Sequence, residues 1–249
     1  VYPVNAQNIF GSSKYFKSAM LNGHDWYVNM ETPVSMLCED PQPHPSGEET
    51  IHWMIEYSED GDDWETVDEG SEMTNNKTFT FTEPSLHRLS WYCTDAVEKT
   101  SEVDTEYFKV DEEAPIINKT VVGPQLGECP PRPGTDDECY ITNETMVQVM
   151  VKDNESIHMS NDVMCDYEVW WNEDVIDSGE FGEEGMNFTW MEDSAHTLDL
   201  TCWDAVGNMV SDVETFLVDI EPPMTEKGIG EPKVINWFTK HCQNYQIDD

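Results

Sequence analysis

Residues 198–219 read LDLTCWDAVGNMVSDVETFLVD, and residues 89–111 read LSWYCTDAVEKTSEVDTEYFKVD. Both stretches close on Val-Asp, and a proline follows each, at Pro222 and Pro115. Moving upstream, EPSLHRLSWYCTDAV (83–97) lies over EDSAHTLDLTCWDAV (192–206) with eight of fifteen positions identical and no gap. KTFTFTE (77–83) lies over MNFTWME (186–192), and YVNMETPVSMLCED (27–40) over YITNETMVQVMVKD (140–153). Three blocks in one order mark a duplicated unit of about 110 residues, and that duplication decides the fold.

The period within each unit is two. Val34, Met36 and Cys38 alternate with polar neighbours, as do Val147, Val149 and Val151. Leu89, Trp91 and Cys93 do the same, matched by Leu198, Leu200 and Cys202. Such alternation belongs to half-buried strands, and helical spacing is absent. Turn signals punctuate the runs at Pro41 to Gly47, Asp60-Gly61 and Gly207-Asn208. The expected class is all-β: two tandem Ig-like antiparallel sandwiches with terminal extensions. The expected limits are a basic N-terminal extension over 1–22, a first sandwich over 23–111, a second over 112–219, and a tail or the start of a third unit over 220–249.

The cysteines fit that plan. Cys38 and Cys93 both fall on apolar faces, with Trp53 on the strand after Cys38, and a cross-sheet disulfide against a buried Trp is the immunoglobulin arrangement. In the second unit Val151 replaces the first Cys, so Cys165, at the start of the next strand, is expected to pair with Cys202. Cys129 and Cys139 bracket a polar, proline-rich loop and are expected to close on each other. Cys242 is left for an intermolecular bridge, a partner in missing sequence, or a free thiol.

Charge is the outstanding compositional feature: 52 acidic against 12 basic residues in 249, a formal −40. Residues 1–22 carry a net +2, whereas residues 23–223 carry −41. Self-repulsion on that scale calls for screening by salt or for bound cations, and it disfavours nucleic acid and anionic lipid as partners. No apolar run reaches the roughly 20 residues that span a bilayer, so no span is expected in this chain. The lack of an initiator Met and of a signal peptide fits a processed chain or a fragment. Seven cysteines without CxxC spacing, and Asn-x-Ser/Thr sequons at Asn76, Asn118, Asn143, Asn154 and Asn187, point to an extracellular, disulfide-bonded glycoprotein with N-linked glycans.

HTLDLTCWDAVGN (196–208), with ETFLVDIEPP (214–223) and FKVDEEAPII (108–117), resembles the Ig-like repeats strung along large prokaryotic surface proteins. Those repeats end on a Val-Asp-x-x-Pro junction and carry an Asp-Ala-x-Gly-Asn turn before the last strand. The acidic, Cys-bearing version, with CEDPQPHPSG (38–47), is similar to archaeal surface proteins in particular. The resemblance covers roughly residues 24–223 and implies a part in a surface layer, filament or adhesin. The first unit departs from the pattern: Glu98-Lys99 stands where the second has Gly207-Asn208, so its turn is expected to differ in shape.

The ends of the second and sixth strands of an Ig-like unit meet at one pole, where the chain also enters. Asp153 and Asp204 are therefore expected to meet the linker acids Asp111, Glu112 and Glu113. Convergent carboxylates of this kind suit calcium, which takes six to eight oxygen ligands. Asp40 and Asp95 hold the matching pole of the first unit. Asp after a strand also caps turns, so some of these acids are expected to be structural. SEDGDDWE (58–65) lacks calcium-loop spacing and reads as a hairpin turn. No catalytic residue stands out: there is no His-Glu-x-x-His, no Gly-x-Ser-x-Gly, and no singular carboxylate pair. His87 and His196, in equivalent places, read as turn and packing residues.

The segment 8–21 holds Ile9, Phe10, Tyr15, Phe16 and Met20, which need burial. It either forms the first strand of its own domain or adds a strand to a neighbouring copy, giving a head-to-tail homopolymer. The resulting expectation is a non-enzymatic structural subunit of an archaeal surface layer or filament. The alternative is an adhesin or carbohydrate-binding surface module, for which Trp170 and Trp203 are the candidate exposed rings. No cofactor other than calcium is expected.

Overall fold

The computed structural model describes residues 5–10, 14–17, 25–43, 45–132, 134–156, 159–227, 235–236 and 241–242, with the backbone alone at 5–10, 14–17, 25, 235–236 and 241–242. Every described element is a strand. Nine belong to the first half: β1 (Asn5–Phe10), β2 (Lys14–Lys17), β3 (Asp25–Val28), β4 (Val34–Glu39), β5 (Thr50–Ser58), β6 (Glu65–Met73), β7 (Asn76–Phe79), β8 (Ser85–Thr94) and β9 (Asp104–Val110). Nine more form the second: β10 (Ile116–Val122), β11 (Gln125–Gly127), β12 (Cys139–Ile141), β13 (Met146–Lys152), β14 (Met164–Trp171), β15 (Asp174–Gly182), β16 (Met186–Phe188), β17 (Ser194–Trp203) and β18 (Met209–Val218).

The two sets share one topology. A three-stranded sheet in the order β1-β4-β7 faces a six-stranded sheet in the order β2-β3-β9-β8-β5-β6. The second half repeats this as β10-β13-β16 and β11-β12-β18-β17-β14-β15. Even the irregularities recur. The β5/β6 pairing shifts register between Ile55 and Glu56, and β14/β15 shifts at the matching place, between Val169 and Trp170. Gly70 lies across from Trp53 and Gly179 across from Tyr167, where an added Cβ would come within 2.7 Å and 3.0 Å of the respective rings.

Each sandwich has its own core, filled by the alternating residues of facing strands. Val34, Met36, Cys38, Leu89, Trp91 and Cys93 anchor the first. Val147, Val149, Val151, Leu198, Leu200 and Cys202 anchor the second. The tryptophan buried in the first core is Trp91, fully enclosed on β8 beside Cys93, and not Trp53, which is half-buried and rests on Gly70. The architecture is thus all-β and two-domain, with Ig-like sheets.

The expectation of purely antiparallel sheets is corrected. β3 runs parallel to β9, and β12 parallel to β18. A unit that the chain enters at one pole and leaves at the other has its first and last strands running the same way. When the leading strand crosses to the edge of the larger sheet, it must therefore pair in parallel. The N-terminal segment pairs within its own chain: β1 lies antiparallel to β4, and β2 antiparallel to β3. The side chains of Ile9, Phe10, Tyr15, Phe16 and Met20 lie outside the described residues.

The expectation that the first unit's turn differs in shape is also corrected. Glu98 takes φ 60° and Gly207 φ 90°, and both turns are closed by the same pair of backbone bonds. Asp95 N–H donates to Lys99 O and Glu98 N–H to Asp95 O, as Asp204 N–H does to Asn208 O and Gly207 N–H to Asp204 O. The carboxylate at the head of the turn dictates its shape in both copies. Asp95 Oδ1 accepts from Val97 and Lys99 N–H. Asp204 Oδ1 accepts from Val206, Gly207 and Asn208 N–H.

The remaining compact unit, residues 220–249, contains a short antiparallel pair, β19 (Ile235–Asn236) with β20 (His241–Cys242). The Cys242 side chain lies outside the described residues.

Candidate metal centre

Asp111 follows β9, Asp153 follows β13, and Asp204 follows β17. The topology brings all three to one pole, where each offers a carboxylate oxygen and these atoms lie within 4.8 Å of one another. Among the described residues this is the one such acidic group. All three are buried, at 0%, 5% and 2% exposure. Glu112 and Glu113 flank the site but are exposed; Glu113 Oε2 accepts from Asn154 Nδ2 at the rim.

Backbone amides hold the carboxylates in place. Asp111 Oδ2 accepts Ser160 N–H at 2.6 Å, and Asp111 Oδ1 accepts Glu113 N–H at 3.2 Å. Asp153 accepts Asn154 N–H at 2.9 Å and Asn161 N–H at 2.7 Å. Asn208 Nδ2 ties the two sandwiches together, donating to Asp204 Oδ2 at 2.7 Å and to the carbonyls of Asp111 and Glu113 at 3.1 and 3.4 Å. Asn29 Nδ2 adds a bond to Val206 O at 3.3 Å. Amide dipoles do not cancel three charges. Burial first, then the Asp204 and Asp153 charges, push the Asp111 carboxyl up to about 6. Burial likewise raises Asp153, with Asp204 and Glu113 adding to it. The buried Ser160 amide and hydroxyl both face Asp111 and oppose its rise without cancelling it. A cation placed among these oxygens would relieve the repulsion. The cluster is therefore able to coordinate a metal ion.

The first sandwich provides the contrast. Asp95 is equally buried, yet a lysine stands nearby, with Lys99 Nζ 4.0 Å from Asp95 Oδ2. Burial raises Asp95, but the Lys99 and Val97 amides, Ser46 and the Lys99 charge outweigh it and hold the carboxyl below its usual range. Asp40 accepts from Ser46 N–H and Oγ. Asp40 and Asp95 each hold a loop, Asp40 through Ser46 and Asp95 through the Val97 and Lys99 amides.

The disulfides join Cys38 to Cys93, Cys129 to Cys139, and Cys165 to Cys202. The first crosses between sheets, whereas Cys165 and Cys202 are direct partners on neighbouring strands of one sheet. Asn76, Asn118, Asn143 and Asn187 are exposed; Asn154 is half-buried at the junction. His87 and His196 are both buried among rings. His87 lies 4.5 Å from Phe81, and His196 lies 5.6 Å from Trp190. Trp170 and Trp203 are half-buried at opposite ends of the β14/β17 pair, so they form no common platform. Ser160 and Asn161 were not read from the sequence as site residues. Their signal is weak, a polar loop of ordinary composition between two strands.

No family model matches this sequence, and no curated protein matches it. Among solved structures, the chain is similar to the fibronectin(III)-like modules of Clostridium thermocellum CbhA, at 14% identity and a TM-score of 0.32, over 86% of this chain and 100% of that one. It is also similar to the chicken CNTN1 FN1–FN3 domains, at 6% identity and a TM-score of 0.28, over 76% of this chain and 64% of that one. Likenesses this distant carry no argument about function, and the fold assignment rests on strand order and register.

Proposed function

We propose that this chain is an extracellular, non-catalytic structural module: two rigid sandwiches, with a boundary near residues 111–112, whose joint is stiffened by calcium. The observation that carries this reading is the buried aspartate cluster, because its members come from both sides of the joint. Calcium suits an all-oxygen, trianionic site better than softer metals do. The three disulfides support an oxidising location, and no described helix is long and apolar enough to cross a membrane, which leaves β-barrels unaddressed. The motif resemblance extends the reading to a surface layer or filament of an archaeon, with glycans at Asn76, Asn118, Asn143 and Asn187.

Calcium titration of chelator-treated protein tests the joint. At a hundredfold excess over Kd, a ligand of the native state adds about 2.7 kcal/mol. The reading expects a rise in Tm together with a narrower range of interdomain angles by small-angle scattering. Unchanged Tm and scattering in millimolar calcium would refute it. Self-association is tested by deleting residues 1–22. Donation of β1 to a neighbour requires exchange out of its own sheet, so a deletion that leaves assembly intact removes that route.

A second reading, a carbohydrate-binding adhesin, draws on a groove of about 560 Å³ on the outer face of β5, β6 and β8. It is lined by His52, Met54, Glu69, Ser71 and Tyr92, and the His52 and Tyr92 rings stack at 4.5 Å. Sugar binding lost in Tyr92→Ala would favour this reading; a glycan screen without hits would count against it.

A further inference from the structure

Lys119 occupies the inward row of β10, between Ile117 and Val121, opposite the fully buried Val149. Asp212 and Glu214 occupy the inward row of β18, between Val210 and Phe216. Lys119 Nζ is 2.7 Å from Asp212 Oδ2 and 2.7 Å from Glu214 Oε2. The three side chains are only 5%, 11% and 2% exposed. An amine enclosed with two carboxyl groups on apolar strands is more than a surface ion pair: the spacing puts Nζ within about 3–3.5 Å of the Asp212 carboxyl carbon, the separation from which bound groups react.

We propose that Lys119 and Asp212 condense to an intramolecular amide, with Glu214 relaying the proton, so that a covalent bond ties β10 to β18. The Lys119 ammonium gives a proton to the carboxylates, and the free amine attacks Asp212 Cγ. Glu214 takes a proton from the nitrogen and delivers it to the departing Asp212 oxygen. One C–N bond forms, one C–O bond breaks, a single water leaves, and Glu214 returns to its starting state. No oxidant or reductant is involved. Burial pushes the Glu214 carboxyl up, with Lys119 opposing and the Asp212 charge adding, which favours the protonated acid this relay needs. Exclusion of water also protects the product from hydrolysis.

The duplication supplies an internal comparison. By strand register, Asp104 and Glu106 hold the places of Asp212 and Glu214, but Asn8 holds that of Lys119. The acid pair recurs without the amine, so the bond is confined to the second sandwich. There it would join the first and last strands, which lie in different sheets and take the load when the chain is pulled by its ends.

The test is the intact mass of the full chain, made without glycans, then reduced and denatured. The proposal expects a mass one water below that of the sequence, and a branched peptide joining Lys119 to Asp212. Lys119→Arg, which keeps the charge, should restore the full mass. Glu214→Gln should slow bond formation by more than tenfold while circular dichroism stays native. A mass equal to the sequence would overturn the proposal. So would a water loss that persists in Lys119→Arg, which would point to imide formation at Asp60-Gly61, or a branch mapped to any other pair. A native-folded Glu214→Gln that forms the bond at the wild-type rate would overturn the relay.

Discussion

Lys99 sets its ammonium 4.0 Å from the Asp95 carboxylate at the pole of the first sandwich, and at the equivalent place in the second stands Asn208, beside Asp204. One copy supplies its own cation and the other does not. Asn208→Lys is therefore expected to substitute an internal charge for the external one. In chelator the variant should melt at least as high as the wild type, and the calcium-induced rise in Tm should shrink to near zero. Differential scanning fluorimetry with and without calcium measures both. A variant that keeps the full calcium shift would show that the ion binds elsewhere.

The duplication, the strand period and the meeting of Asp111, Asp153 and Asp204 were legible in the sequence, because alternation and repeat spacing fix which residues share a face and an end. The parallel pairs β3/β9 and β12/β18 were not, since local pattern does not reveal which sheet a leading strand joins. Trp53 and Trp91 illustrate the same limit: both alternate inward, but only strand position and the glycine at residue 70 decide which is enclosed. Lys119 carried a faint signal, a charged residue in the row Ile117-Lys119-Val121, whose meaning depends on partners about a hundred residues away.

The paired turns predict unequal tolerance of substitution. Gly207 holds φ 90° with no atom within 4 Å of an added Cβ, so Gly207→Ala meets only backbone strain. It should cost about 1 kcal/mol. Glu98 already bears that strain at φ 60°, and Glu98→Gly should relieve it while loosening the unfolded chain. The two effects nearly cancel, leaving a change of about 0.5 kcal/mol or less. Urea unfolding of the two variants measures the difference.

The disulfides should rank by loop length. Cys38–Cys93 closes 55 residues, Cys165–Cys202 closes 37, and Cys129–Cys139 closes 10. Loop entropy gives about 4 kcal/mol for each of the first two and roughly 2.5 kcal/mol for the third. Loss of buried sulfurs adds to the cost of the first two alike, since Cys38, Cys93, Cys165 and Cys202 are all buried. Replacing each pair with alanine should therefore leave the Cys129/Cys139 variant the most stable of the three by urea midpoint. If that variant proves the least stable, the loop is performing a role that its size does not explain.

The aspartate cluster should give the cation-free and calcium-bound proteins opposite responses to pH. In the cation-free protein Asp111 titrates near 6, above its unfolded value of 3.8, so between those values the folded state holds more protons than the unfolded one. Stability from this group is then fully present below the unfolded value and is lost as pH rises through about 6. Asp153, also raised, acts in the same direction. Calcium binds the ionised carboxylates, so its affinity must fall as pH drops through the same window. Melting temperatures at pH 5 and 7 should therefore converge in acid and diverge at neutrality, with calcium raising Tm chiefly at pH 7. Asp111→Asn removes the most strongly shifted group, and it should flatten the cation-free profile while weakening the calcium response. A calcium shift equal at both pH values would mean that these carboxylates do not hold the ion.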